Sequence, residues 1–215
     1  MKTIIVSLII VLTIFTFVTP SHALWWMVYH KPAFKGKVID AETKEPIAGA
    51  VVVVIYEKYP IISGPGGGSA SIMNIKEFLT DKNGEFYAPS YTTIIQPFSI
   101  EAYASFIIFK PGYGSFPWYR VSPPMELSLD ATMEFFPRET GTEGEIGWDY
   151  KKDKKIKVAF GIVELPKLKT REERLNSLRS ANLHGEVHWN KIKKLMRLIN
   201  EEYKSLGITP YKEEE

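Results

Sequence analysis

Residues 34–56 read FKGKVIDAETKEPIAGAVVVVIY, and residues 80–87 read TDKNGEFY. An alternating segment, a polar turn, a valine-rich segment and a tight hairpin follow one another, which confines the chain to an architecture of paired strands. Residues 50–56 are apolar throughout and rich in valine, as a strand covered on both faces requires. The connections carry turn chemistry. Asp40 and Thr43 can accept hydrogen bonds from local amides, Pro46 fixes a dihedral, and Gly49 permits a conformation closed to other residues. Asp81, Lys82, Asn83 and Gly84 supply the residue types that tolerate positive φ in a hairpin.

Further strands follow from pattern. Residues 125–135 place Met125, Leu127, Leu129, Ala131, Met133 and Phe135 on one face, with Glu126, Ser128, Asp130, Thr132 and Glu134 on the other. This predicts a half-buried antiparallel strand. Residues 98–109 form an aromatic and isoleucine-rich run closed by a Lys-Pro-Gly-Tyr-Gly turn at 110–114. With strands near 34–39, 72–79 and 85–88, the spacing predicts a mainly β chain folded as a sandwich. Charge divides the chain: residues 1–150 carry 11 basic and 15 acidic side chains, whereas 151–215 carry 16 and 10. The period changes from two to helical at the same place, so a basic helical tail is expected on an acidic body.

Residues 1–23 have the form of an export signal: Lys2, an apolar run over 4–18, then Pro20 and the small residues Ser21 and Ala23 before a cleavage point. The run is shorter than the roughly 20 residues that span a bilayer. Cleavage after Ala23 and a periplasmic or extracellular location are expected. An uncleaved anchor is the competing reading and the only route by which a membrane enters as a partner. The chain has no cysteine, so neither a lipid-modified cysteine nor a disulfide contributes.

Gly36 to Asp40, the Glu-Pro-Ile-Ala-Gly-Ala-Val run at 45–51, the hairpin at 80–86 and Pro111-Gly112-Tyr113 resemble the landmarks of the carboxypeptidase regulatory-like domain family. The resemblance covers about residues 33–136. It implies a seven-stranded antiparallel prealbumin-like (transthyretin-like) β-sandwich and a noncatalytic accessory role in an exported bacterial protein. Two departures stand out. The stretch 57–75, with glycines at 64 and 66–68, is longer than the family pattern places there, and nothing in that pattern accounts for the chain after Phe136. The expected organisation is a signal at 1–23, a sandwich domain at 24–136, a linker with one possible extra strand at 137–169, an amphipathic helical tail at 170–207 and a disordered acidic end at 208–215.

Candidate chemistry is sparse. The zinc carboxypeptidases use a His-x-x-Glu pair, and none of His22, His30, His184 or His188 has Glu three residues on. His184 and His188 are four apart, a spacing that on a helix shares one face and can hold a metal, but Gly185 interrupts the helix. They are the metal candidates of the alternative reading, a small metal-dependent enzyme or metal-binding protein. The glycines at 64–68 lack the Gly-Lys-Ser/Thr ending of a phosphate loop and read as a loop. Asp81, Asn83 and Glu85 lack the further ligands of a calcium loop. The expectation is therefore no enzyme, no cofactor and no nucleic-acid partner.

Aromatic residues offer the other kind of site. Tyr113, Phe116, Trp118 and Tyr119 lie in a turn-rich segment at 112–120 and are the ligand-binding candidates, a stacking surface for a protein or carbohydrate partner at the cell envelope. The competing reading makes them a plug for the end of the sandwich. In the tail, Thr170 and Glu173 form a capping box before Leu175, Leu178 and Leu183. A second helix sets Trp189, Ile192, Met196, Ile199, Tyr203 and Leu206 at three-four spacing and ends at Gly207. That stripe is expected to be buried on the chain's own sandwich or on a partner.

Overall fold

The computed structural model describes residues 28–61, 69–95, 98–121, 132–134, 144–147, 155–159, 161–181 and 189–212. The leader, the glycine cluster at 64–68 and most of 122–160 lie outside them.

The valine-rich run behaves as its composition requires. β3 (Val51–Pro60) sits inside a four-stranded sheet ordered β4-β3-β7-β8, with β4 at Ser71–Leu79, β7 at Ser99–Phe109 and β8 at Phe116–Val121. Its partners are antiparallel on both sides, Val53 facing Glu77 of β4 and Ile107 of β7. Val52, Val54 and Tyr56 point to one side with Phe106, Ile108 and Phe116. Val51, Val53 and Ile55 point to the other with Ile107 and Phe109. Both faces are thus buried, which is why neither can carry polar residues.

The first face packs on a six-stranded sheet whose path is β10-β11-β12-β2-β5, with β9 also beside β2. Its strands are β2 (Ala33–Asp40), β5 (Glu85–Ala88), β9 (Thr132–Glu134), β10 (Gly144–Gly147), β11 (Lys155–Ala159) and β12 (Ile162–Leu165). Phe34, Val38, Phe86, Ala88, Val163 and Leu165 close the core from this side. Two β-sheets facing each other across one apolar layer make a sandwich. A separate ribbon pairs β1 (Val28–Lys31) with β6 (Tyr91–Ile94) and adds Tyr29 to the core.

Three sequence expectations are corrected here. Within 137–169, expected as a linker with one possible extra strand, the described residues add more to the body than that: β12 runs parallel to β2, Val163 opposite Val38, and its buried Val163 and Leu165 complete the core. The single strand expected there is replaced by three, β10, β11 and β12, and Gly161, whose φ of 68° suits glycine, lies between the last two. Of the strand expected over 125–135, residues 132–134 form β9, which pairs with β2 in parallel rather than antiparallel; 125–131 and 135 lie outside the described residues. The turn-rich reading of 112–120 gives way to β8 from Phe116 on, antiparallel to β7.

The turns follow their residues. Asp40 Oδ1 accepts from the amides of Glu42 at 2.7 Å and Thr43 at 3.0 Å. Asp81 Oδ1 accepts from Asn83 and Glu85, both at 2.8 Å. Gly84 has a φ of 74°, and a Cβ there would stand 2.4 Å from the Val38 carbonyl oxygen, so only glycine fits.

Two helices cover the second face of the four-stranded sheet. α1 (Arg171–Ala181) opens on the capping box: Thr170 Oγ1 accepts from the Glu173 amide at 3.2 Å, and Glu173 Oε2 from the Thr170 amide at 3.1 Å. α2 (Lys193–Ser205) follows a 3-10 turn at Trp189–Lys191 and has no side-chain cap of its own. Glu77 of β4 supplies one, its carboxylate accepting from the amides of Lys194 at 2.9 Å and Leu195 at 2.8 Å. Gly207, φ 70°, ends it, with Ile208 N donating to the Tyr203 carbonyl at 2.9 Å. Ile192, Leu195, Met196, Leu198 and Ile199 are all at most 6 % exposed against the sheet. At about 1.5–3 kcal/mol per buried side chain, this contact amounts to roughly 10 kcal/mol gross and makes the helices a third layer of the body. The end of the chain is also held. Asn200 Nδ2 donates to the Tyr211 carbonyl at 3.1 Å, and Tyr211 N donates to Asn200 Oδ1 at 2.9 Å. Residues 208–212 are therefore ordered against α2, contrary to expectation, and 213–215 lie outside the described residues.

Candidate binding surfaces

The aromatic segment singled out in the sequence serves the fold at the two positions whose side chains are described. Phe116 is fully buried between the sheets and presents no face to a ligand. Tyr113 is half-buried and tied down. Its backbone bridges Lys167, its carbonyl accepts from Ser177 Oγ of α1 at 2.9 Å, and its hydroxyl bonds the Asp40 carboxylate. Burial and then the Asp40 charge push the Tyr113 hydroxyl above the ordinary phenol value. Burial alone would raise the Asp40 carboxyl, but the Thr43 and Glu42 amides, the Tyr113 hydroxyl and the Lys167 charge outweigh it and hold it below the usual carboxylate range. Trp118 and Tyr119 take part in β8, Tyr119 opposite Phe106, and their side chains lie outside the description. His184 and His188 lie outside the described residues. Among the described residues there is no group of three His, Cys, Asp or Glu side chains placed to hold a metal.

A cluster of buried polar rings lies where the β1–β6 ribbon meets β3. Tyr29 and Tyr56 are fully buried with ring centroids 6.3 Å apart, and Tyr91 leans on both. Neither phenol oxygen of Tyr29 and Tyr56 has a hydrogen-bond partner among the described residues. Burial raises both pKa values far above the ordinary range, with Glu101 adding to the effect on Tyr29. Lys31, itself buried, pairs with Glu101 and stands 5.3 Å over the Tyr29 ring. Burial lowers its pKa, against the opposing pull of Glu101. Ser105 Oγ donates to the buried Glu57. Lys31 with Glu101 and Ser105 with Glu57 are thus paired, while the two phenols pack by their rings at the border of the core.

Among the described residues, a concave feature runs across β12, β2 and β5 to the end of β4. It is a groove of about 650 Å³, with Lys35, Lys37, Leu79, Glu85, Tyr87 and Ile162 among its lining. Strand alternation positions these groups: Phe34 and Val38 turn inward, while Lys35 and Lys37 stand in register with Tyr87 and Glu85 of β5. Tyr87 is 57 % exposed, Leu79 40 % and Ile162 36 %, an apolar strip flanked by two cations, Lys35 and Lys37, and two carboxylates, Asp81 and Glu85. The floor is close-packed at Gly36, where a Cβ would stand 2.7 Å from the Phe86 ring and 2.9 Å from the Gly161 carbonyl oxygen. Aromatic density drew attention to residues 112–120 instead. The signal for the groove was present in the outward positions of the first strand and the hairpin, which alternate with the core residues.

No family model matches the chain, and no characterised protein matches it in sequence. Among solved structures, the catechol 1,2 dioxygenase of Acinetobacter radioresistens is similar at 16% identity and a variant of it at 18%, each with a TM-score of 0.31. The alignments cover 79% of this chain and 58% of the dioxygenase chain. At that score the likeness carries no argument about fold or activity.

Proposed function

We propose that the protein is an exported, nonenzymatic binding module of the carboxypeptidase regulatory-like type, with a seven-stranded prealbumin-like unit inside its two sheets. In this reading it acts in the periplasm or outside the cell, and the groove over β12, β2 and β5 receives a protein or glycan partner. The observation that carries the proposal is the exposed Tyr87 ring set between Lys35, Lys37 and Glu85 on a close-packed floor. A ring with one polar tip, bordered by fixed charges of both signs, suits stacking and orientation of a polar ligand. The acids of the landmark turns support a noncatalytic role, since Asp40 and Asp81 are engaged by backbone amides. The test is a glycan array and a pull-down from envelope extract with the purified chain. Tyr87→Ala is expected to weaken the captured ligand at least about tenfold, as loss of an aromatic anchor does. Capture undiminished in that variant would refute the assignment of the groove.

A further inference from the structure

Four large apolar side chains are exposed toward the Pro60 end of β3. Phe98 is 68 % exposed, Ile61 52 %, Ile100 51 % and Ile94 74 %. Ile61 N donates to the Phe98 carbonyl at 2.7 Å, and Ile100 lies two residues along β7, so three of the four are contiguous. Large apolar side chains gathered on one tip mark an interaction surface rather than scattered exposure.

A second observation is independent of exposure. Phe98 has a φ of 60°, a left-handed conformation that a bulky aromatic residue rarely adopts. Glycine or asparagine would sit there without strain. The backbone strain accompanies a ring held out in solvent, a combination typical of a functional contact.

The chain itself indicates what meets this tip. Residues 1–27 join the fold at Val28, whose register partner is Ile94. They carry the apolar run at 4–18 and Trp25-Trp26 immediately before the junction. Tryptophan at the border of an apolar segment is the residue of membrane interfaces. The two carboxylates near the tip are compensated: Glu101, though its side chain is 37 % exposed, pairs with Lys31, and Glu57 is buried with Ser105. The charge that Glu101 turns toward an anionic headgroup layer is thereby offset by the Lys31 ammonium.

We infer that Ile61, Ile94, Phe98 and Ile100 form a docking tip for a lipid bilayer surface, entering its headgroup and acyl boundary whether or not the leader is retained. β3 runs from the groove end at Val51, opposite Leu79, to the tip end at Pro60, opposite Ser99. At about 3.3 Å per residue, its length places the Val51 end, where Leu79 of the groove pairs, roughly 30 Å from the membrane. The inference stands apart from the ligand assigned to the groove.

Because the chain has no cysteine, single labels read the contact directly. The full chain carrying Ile61→Cys, Ile100→Cys or, as control at the far hairpin, Asn83→Cys is labelled with an environment-sensitive fluorophore. Each is mixed with vesicles of phosphatidylethanolamine and phosphatidylglycerol, with and without nitroxide lipid. Labels at 61 and 100 are expected to shift to the blue and be quenched, and the label at 83 to do neither. Phe98→Asn is expected to reduce that quenching several-fold while leaving the melting temperature equal or higher, because asparagine accepts the left-handed backbone. Three outcomes overturn the inference: no association with vesicles, association with labels at 61 and 100 unquenched, or labels already blue-shifted without lipid. The last would place another part of the chain or a second copy on the tip.

Discussion

Removing Arg174 should destabilise the whole molecule although the residue touches no proposed site. Its guanidinium grips Glu202 at both ends, Nε to Oε1 at 2.6 Å and a terminal nitrogen to Oε2 at 2.7 Å, and reaches Ser205 Oγ at 2.5 Å. Glu202 is only 2 % exposed, so Arg174→Met leaves a carboxylate buried without its counter-charge. Breaking such a pair from one side costs about 3–5 kcal/mol. Since 25 % of the Arg174 side chain reaches solvent, the lower figure of about 3 kcal/mol applies. With a urea slope near 2 kcal/mol/M, the unfolding midpoint should fall by about 1.5 M at unchanged slope. Replacing both partners, Arg174→Met with Glu202→Met, removes the stranded charge and should recover all but about 1 kcal/mol. The reasoning fails if the single variant loses under about 1 kcal/mol, or if the double variant loses as much as the two single variants together. A separate early transition for the helices would refute their place as an integral layer.

Other outcomes follow from the same structure. Gly84→Ala should lose at least about 2 kcal/mol in urea unfolding, because the new Cβ meets the Val38 carbonyl at a φ of 74°. Glu77→Ala removes the carboxylate that caps the start of α2 and should cost about 1 kcal/mol, seen as faster amide exchange at Lys194 and Leu195. Alkaline stability should be governed by Tyr29 and Tyr56, whose pKa values are raised from 10.0 in the fold. Their stabilisation is complete below pH 10 and declines above it as the unfolded phenols ionise, each at about 1.4 kcal/mol per pH unit. Lys31 works in the opposite sense, its pKa lowered from 10.5, so its contribution increases with pH up to that value and is constant beyond. Melting temperatures should therefore fall above pH 10.5, and Tyr56→Phe should halve the decline.

Local rules carried far where local chemistry decides. The two-sided burial of β3, the turn roles of Asp40, Gly49 and Gly84, the capping box at Thr170 and the helix end at Gly207 were legible because each depends on residues within a few positions. The strands within residues 137–169 were harder to read for the opposite reason. β12 is a four-residue segment whose strand character comes from the free edge of β2, more than a hundred positions earlier. Residues 112–120 misled because aromatic content does not distinguish a ring buried between sheets, as Phe116 is, from one in solvent. The groove went unseen because Lys35 and Tyr87 become neighbours only through pairing of β2 with β5.

By itself, then, the sequence determined a mainly β body with helices at its end, the turns that join its first strands, and the periodic faces that had to be buried. Only the tertiary structure decided what covers those faces: β12 along β2, the helices on the outer face of β3 and β7, and Glu77 at the start of α2. It also decided that an apolar tip gathers at the Pro60 end of β3 and that a charged groove crosses β12, β2 and β5. The physical reason is range. Propensity and periodicity act over one or two turns of chain, whereas a free strand edge, an uncapped helix or a buried charge is satisfied by whichever segment the fold brings to it.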